Sequence, residues 1–214
     1  MLGISAAADL AAVTEPVDRA VLAALADVVD TATTAFDAFD YTGALEASEQ
    51  FFWQFCDDYL ELVKERAYGD PADPAVRSAQ AALALALDVM LRLLAPIMPF
   101  ATEEVWSWWK EGSIHTATWP TRAELAGDGD PALLTAVSAA LVEIRGAKSQ
   151  AKVSMRTDVA AAEFSGPAEA LTRLQAVEAD LRAVGRISGG VRWAEGDGPV
   201  AVRVTLAEDS RPAE

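Results

Sequence analysis

The side chains whose types and spacing best suit a chemical role are basic residues near position 150. At helical spacing, Arg145, Lys148 and Lys152 fall within about 60° of one another, and Arg156 follows them. A basic stripe of this kind could contact the phosphates of a nucleic acid, which proteins bind through Lys and Arg. Cations at a helix C-terminus also complement the helix dipole, contributing about 0.3–1 kcal/mol each. The residues alone leave both interpretations open.

Paired carboxylates occur at Asp57-Asp58 and at Glu103-Glu104. Adjacent residues on a helix diverge by about 100°, so neither pair converges on one atom. These carboxylates are therefore expected to be solvated charges or charges at a helix start, and not an acid–base or metal site. His115 is the only histidine and has no cysteine near it, which argues against zinc and predicts a hydrogen bond within a loop. We predict no catalytic residue and no metal site.

Charge is distributed unevenly along the 214 residues. Residues 1–144 carry 7 Lys or Arg against 23 Asp or Glu, whereas residues 145–203 carry 9 against 7. Because nucleic-acid binders usually show a basic footprint, any such surface is expected after residue 144. No uncharged apolar run of about 20 residues and no signal-peptide pattern is present, so no membrane partner is expected. The single cysteine, Cys56, fits a reducing compartment and predicts a cytoplasmic protein.

Helices are predicted where apolar residues recur at helical spacing, and three of the four have proline in the first turn. They cover about 16–39, 41–67, 74–95 and 131–152. The third is apolar all round between Ala81 and Leu87, which is typical of the innermost helix of a bundle.

The pattern changes after residue 152. A segment rich in β-branched residues, an amphipathic helix and two strands are predicted at 153–164, 168–184, 191–193 and 200–206. The chain is therefore predicted to be mainly α, an antiparallel helical bundle followed by a small α+β appendage. The predicted domains are the bundle over 1–152, the α+β subdomain over 153–206 and a disordered tail over 207–214.

A sharp corner is predicted between Leu94 and Trp119, because prolines interrupt the helical pattern there. Thr102-Glu103-Glu104 then supplies a helix start, with carboxylates where the dipole favours them. Large aromatic residues in this corner and in the 41–67 helix are predicted to be buried. The predicted structural anchors are Phe52, Trp53, Phe55, Pro96, Pro99, Phe100 and Trp106.

Two stretches carry a resemblance to a known family. The first is Pro96-x-x-Pro99-Phe100-x-Thr102-Glu103-Glu104-x-Trp106, and the second runs from Phe51 to Lys64 with the sequence FFWQFCDDYLELVK. The first resembles the corner of the anticodon-binding helical domain in class I aminoacyl-tRNA synthetases, in the branch of the valyl, isoleucyl and leucyl enzymes. The second is similar to the valyl members in particular.

The resemblance implies a non-catalytic region that binds the anticodon stem-loop of a valine-specific tRNA beside the catalytic domain of the same parent enzyme. ATP and Mg would serve that parent, with no cofactor in this chain. The HIGH-like and KMSKS-like catalytic sequences of the family are absent, so this chain is expected to be inactive alone. The resemblance also favours tRNA contact for Arg145, Lys148, Lys152 and Arg156. The alternatives are an acidic helical protein-interaction module without RNA binding, or the equivalent region of an isoleucyl or leucyl synthetase.

Overall fold

The computed structural model of the chain describes residues 9–125 and 127–207. The chain divides into two units, Met1–Pro131 and Ala132–Glu214. In its described residues the first unit is helical, and the second adds a three-stranded sheet, so the predicted fold class is confirmed. All but the first residue of helix Pro131–Gln150 belong to the second unit, whereas the sequence predicted a domain boundary at 152. The predicted domain limits stay a prediction. Apart from Ala207, the predicted tail lies outside the described residues.

The helices of the first unit begin where the sequence places its prolines and caps. They are α1 (Pro16–Asp37), α2 (Tyr41–Gln54), α3 (Glu61–Ala67), α4 (Pro74–Leu94) and α5 (Pro99–Ser107), and a π-helical segment, Phe55–Leu60, joins α2 to α3. Proline occupies the first position of α1, α4 and α5, where its missing N–H loses no helical hydrogen bond. The predicted helices at 16–39, 41–67 and 74–95 are confirmed, the second with a π turn inside it.

Helix α4 is the central helix of this unit and packs on α1, α2 and α3. Most of its residues between Ala79 and Leu93 are buried, which confirms its predicted innermost position. By length and composition α4 could also cross a membrane, but 56% of that apolar window is buried inside the structure, as in a core helix.

A buried carboxylate ties the helices of the first unit together. Asp18 on α1 is 0% exposed. Its Oδ1 accepts hydrogen bonds from the Tyr59 hydroxyl at 2.8 Å and from Arg66 Nη2 at 2.9 Å. Its Oδ2 accepts from Arg66 Nη1 at 2.9 Å and from Ser78 Oγ at 2.6 Å. One carboxylate therefore joins α1, the π-helical segment, α3 and α4, and its charge is met by a bidentate guanidinium.

The predicted anchors of helix 41–67 divide between core and surface. Helix α2 buries Ala44, Ser48 and Phe51, and Phe55 continues that line into the π-helical segment. Phe52 lies beside this line and is half-buried. Trp53 lies off it and is 55% exposed, so its assignment as a buried anchor is wrong. The buried residues recur every three or four positions, and Trp53 lies off that line.

The corner before α5 also differs from the prediction. Helix α5 begins at Pro99, three residues before the predicted start, and the Thr102 hydroxyl donates back to the Met98 carbonyl at 2.9 Å instead of capping the helix. Trp106 is buried with Leu91, Ala95 and Ile114. Phe100 is 89% exposed, so its assignment as a buried anchor is wrong. Thr102 and Trp106 form the buried face of α5, and Phe100 lies off that face.

The prolines that predicted this corner are themselves only partly covered. Pro96, between α4 and α5, is exposed, and Pro99 at the start of α5 is half-buried. Both therefore act through the backbone, by ending α4 and by fixing the first turn of α5.

The second unit contains α6 (Pro131–Gln150), β1 (Val159–Gly166), α7 (Ala168–Gln175), α8 (Glu178–Gly185), β2 (Ile187–Glu195) and β3 (Ala201–Leu206). The strand order is β2-β1-β3, with β1 parallel to β2 and antiparallel to β3. Helices α7 and α8 form the crossover that parallel pairing of β1 and β2 requires. Phe164 on β1 stacks on its partner Trp193 on β2, with ring centroids 4.6 Å apart.

Strand β2 begins four residues earlier than predicted and contains Gly189 and Gly190. A Cβ on Gly189 would lie 1.7 Å from the Ala160 carbonyl oxygen, so the close approach of β1 requires glycine there. Gly189 therefore marks a tight strand pair within β2.

Candidate nucleic-acid interface

The predicted basic stripe lies at the end of α6, and Lys148 occupies its centre. Lys148 is 2% exposed, and its Nζ donates to the carbonyl oxygens of Met155 and Gly185, both at 3.0 Å. Burial, and then the charge of Arg186, lower the pKa of Lys148, while Asp158 acts in the opposite direction. The prediction that Lys148 shares an exposed stripe with its neighbours is wrong, because its ammonium joins the end of α6 to the following loop and to the end of α8.

The other three predicted cations differ in exposure. Arg145 is half-buried on α6, one turn before Lys148. Lys152 lies just beyond the helix, where its backbone takes a left-handed conformation with φ 55°, and its side chain is exposed. Arg156 is exposed in the loop, next to the Met155 carbonyl that Lys148 binds. Within the described residues, Lys152 and Arg156 make no ion pair.

Arg186 is a fifth cation at this place, and the sequence analysis missed it. It follows α8 in a left-handed conformation, with φ 55°, and its Nε donates to Asp158 Oδ1 at 2.7 Å. Its carbonyl accepts from Val159 N at 2.9 Å, so Arg186 and the start of β1 are fixed together. Arg186 is 30 residues or more from the others in sequence, and only the pairing of β1 with β2 brings it here. The sequence carried no local signal for it.

We call Lys148, Lys152, Arg156 and Arg186 the basic end of the second unit. Asp158 is bound by Arg186, and the charges of both residues act on the pKa of Lys148. Buried Lys148 supplies a fixed charge beneath the surface, and exposed Lys152 and Arg156 supply donors that can reach a ligand. Such an arrangement can hold an anionic chain such as a phosphate backbone, and it offers no nucleophile or general base.

The other side chains considered for chemistry, Glu103, His115 and Cys56, lie in ordinary structural environments. Glu103 accepts hydrogen bonds from Ser113 Oγ at 2.9 Å and from Ile114 N at 3.0 Å. His115 Nε2 lies 3.2 Å from the Pro99 carbonyl oxygen, which is the predicted loop contact. Cys56 is half-buried, and burial, followed by the charge of Asp57, raises the pKa of its thiol, which disfavours the reactive thiolate.

No group of three or more His, Cys, Asp or Glu side chains suited to a metal ion occurs in the part of the chain that the structure describes. Asp57 and Asp58 follow each other on the π-helical segment and Glu103 and Glu104 on α5, so each pair diverges around its helix.

The described residues form a helical unit and a second unit with a small sheet, and the cations at the end of α6 define a class of protein that can bind an anionic ligand. The sequence model described as "Anticodon-binding domain of tRNA ligase" matches residues 18–163, and the chain belongs to that family. The resemblance seen in the motifs of Pro96–Trp106 and Phe51–Lys64 is therefore confirmed.

Among relatives, the chain is similar to proteins called valine–tRNA ligase. It is 53% identical to that of Salinispora arenicola, over 92% of this chain and 25% of the relative. It is 55% identical to that of Cutibacterium acnes, over 87% of this chain and 22% of the relative. It is 51% identical to that of Thermobifida fusca, over 96% of this chain and 23% of the relative. The chain thus spans about a quarter of the length of the curated relatives it matches.

Proposed function

We propose that this chain binds the anticodon arm of a valine-specific tRNA, and that the basic end of the second unit contacts the RNA backbone. The observation that carries the proposal is the exposed pair Lys152 and Arg156 beside the fixed charges of Lys148 and Arg186. Family membership supplies the class of ligand, and the names of the relatives supply the amino acid.

The charge balance supports a local contact at this place. Residues 1–131 carry 7 basic against 22 acidic side chains, so the first unit repels a polyanion at long range. Phosphates would therefore be attracted where cations outnumber carboxylates, and the basic end is such a place. Lys148 acts there as a positioning residue, because it holds the loop that presents Arg156.

The wider setting follows from the relatives. We propose that the protein to which this region belongs attaches valine to tRNA in the cytoplasm, using ATP and Mg held by parts of that enzyme other than this chain. This region would position the anticodon arm. On its own, the chain is expected to show neither pyrophosphate exchange with valine and ATP nor aminoacylation of tRNA.

The test is the salt dependence of binding to a valine tRNA transcript, measured by fluorescence anisotropy. The double variant Lys152→Gln/Arg156→Gln removes two exposed charges and leaves Lys148 in place. If both bind phosphates, the slope of log K against log salt should flatten by about 1.5, and binding at about 0.1 M salt should weaken by roughly tenfold or more.

A matched control removes two exposed cations from the strands of the same unit. Arg192→Gln/Arg203→Gln lowers the net charge equally but changes β2 and β3, and it should leave the slope nearly unchanged. Equal effects of the two double variants would show that net charge alone is responsible. No binding of tRNA by the wild-type chain at any salt concentration would refute the proposed function and favour a protein-interaction module.

A further inference from the structure

A strained turn carries an exposed aromatic ring between α1 and α2. Phe39 has φ 61°, in the left-handed region that favours glycine. Its N–H donates to the Phe36 carbonyl at 3.0 Å, and the next N–H, of Asp40, donates to the Ala35 carbonyl at 2.8 Å. These bonds end α1 in the manner of a Schellman motif, in which the left-handed position is usually glycine. A phenylalanine at this position is strained, and its ring is 77% exposed.

Three other rings, two of which pack on Phe36, belong to this part of the first unit. Trp119 is fixed by its Nε1, which donates to Thr33 Oγ1 at 2.8 Å. Its ring meets Phe36 edge-on, with centroids 5.2 Å apart, and Phe36 lies 5.8 Å from Tyr41. Tyr41 is itself 57% exposed. We call Phe36, Phe39, Tyr41 and Trp119 the aromatic corner. Phe36 packs on Trp119 and Tyr41, and Phe39 and Tyr41, two residues apart in sequence, are exposed to solvent.

The charges around the aromatic corner exclude phosphate as its ligand. From Thr31 to Ser48 the sequence contains no Lys or Arg, and Asp37 and Asp40 flank Phe39. Arg122, which follows Trp119, is already bound to Asp27 and Asp30. Carboxylates can accept hydrogen bonds from the amino groups of nucleobases, and aromatic faces stack on any base. The corner therefore suits a base whose own phosphates lie away from it.

We propose that the aromatic corner stacks an unpaired base of the bound tRNA, with Phe39 and Tyr41 as the contact faces. The inference rests on the proposed function, which supplies an RNA loop. Recognition of RNA by proteins is concentrated on unpaired bases that can be splayed from a loop and stacked on aromatic side chains. The support that Phe36 and Trp119 give to Tyr41 suits a flat, rigid ligand, because little conformational freedom of this ring is lost on binding.

The variants Phe39→Gly and Phe39→Asn test the corner without unfolding it. Glycine and asparagine tolerate the left-handed backbone, so both variants should be at least as stable as the wild type in urea unfolding. Tyr41→Ala removes the second face. The control Phe100→Ala removes a ring that is 89% exposed on α5, at another place in the same unit.

The probe is an anticodon stem-loop RNA with 2-aminopurine placed at each loop position in turn, compared with the same stem closed by a tetraloop. One labelled position should be quenched when wild type binds, as stacking requires. Phe39→Gly and Tyr41→Ala should abolish that quenching and weaken binding roughly tenfold, with the salt slope unchanged, since stacking releases no counterions. The Phe100→Ala control tests whether any exposed ring contributes to binding in the same way. The tetraloop RNA tests whether the stem alone accounts for the binding.

The outcomes distinguish this inference from the proposed function. If wild type binds the stem-loop but no position is quenched, or if Phe39→Gly binds as well as wild type, the corner is not a base site although the RNA function stands. An equal loss with Phe100→Ala would also overturn it. If an arginine tetrapeptide, titrated without RNA, shifts the backbone amide NMR signals of 39–41 in wild type but not in Phe39→Gly, the corner is a site for a cationic protein segment. No binding of any RNA by wild type removes both proposals together.

Discussion

The Asp18 network allows the sharpest prediction about stability. Asp18→Asn keeps the shape of a side chain that is 0% exposed, so it creates no cavity, but it removes the charge that Arg66 pairs with. The Arg66 side chain is only 13% exposed, and its guanidinium would stay largely buried opposite a neutral amide. The amide NH2 would also face donors, because the Tyr59 hydroxyl, Arg66 and Ser78 all donate to the carboxylate.

The magnitude follows from these losses. Removing one partner of a buried ion pair costs about 3–5 kcal/mol, because the other charge is left uncompensated. Tyr59→Phe removes one hydrogen bond to a charged acceptor and should cost about 1.5–3 kcal/mol, with the Arg66 pair intact. Since a domain is stable by only about 5–15 kcal/mol, Asp18→Asn should remove a large fraction of the stability of the first unit.

The assay is equilibrium unfolding in urea followed by tryptophan fluorescence, which reports mainly on the first unit, where five of the six tryptophans lie. With a slope of about 2 kcal/mol per M, Asp18→Asn should lower the midpoint by roughly 1.5–2.5 M, and Tyr59→Phe by about half as much. Near-equal midpoints for wild type and Asp18→Asn would mean that the carboxylate contributes no net free energy, and the reasoning would fail. A loss for Tyr59→Phe larger than for Asp18→Asn would show that the hydrogen bond of the Tyr59 hydroxyl, and not the charge of Asp18, dominates.

Two further predictions concern single buried side chains. Lys148→Met should destabilise the second unit by about 1–3 kcal/mol, because the Met155 and Gly185 carbonyls lose their donor, and hydrogen exchange of amides near residues 155 and 185 should accelerate. The pKa of Lys148 in the folded protein is below 10.5, its value in the unfolded chain. Between these two pKa values the unfolded chain binds more protons than the folded one, so the stability of the wild type should rise with pH in that window. Lys148→Met should lack this rise. Trp106→Ala should lower the free energy of unfolding, measured in urea, by about 3–5 kcal/mol, and Phe52→Ala, at a half-buried position, should lower it clearly less. A larger loss for Phe52→Ala would mean that the buried faces of α2 and α5 are misassigned.

The helices could be predicted from the sequence because their signals are local. Pro16 and Pro74 sit at first turns, and apolar residues recur at helical spacing between the stops, so α1 and α4 were placed within two residues of their ends. The family could be predicted as well, because its motifs are contiguous. The π-helical segment was not predictable, since its residues, Phe55–Leu60, continue an ordinary amphipathic pattern.

The parts that could not be predicted depend on distant residues. Nothing near Lys148 in sequence shows that the Gly185 carbonyl will bind its ammonium, because that contact exists only once α8 and the sheet have formed. The same holds for Arg186, which reaches the basic end through the pairing of β1 with β2. Asp18 likewise finds its partners on Tyr59, Arg66 and Ser78, 41 to 60 residues away. Spacing along one helix therefore identified where cations cluster, and it could not tell which of them face solvent.

The two proposed RNA contacts differ in physical kind, and that difference bears on how such an acidic chain could bind RNA selectively. Contacts of Lys152 and Arg156 with phosphate gain from counterion release, so they weaken as salt rises and do not depend on sequence. Stacking on Phe39 and Tyr41 depends on an unpaired base and little on salt. A strongly negative first unit, with 7 basic against 22 acidic residues over 1–131, suppresses non-specific attraction to any polyanion. Selectivity for a loop over a plain duplex should therefore increase with salt concentration, because the non-specific part of the binding free energy is lost first.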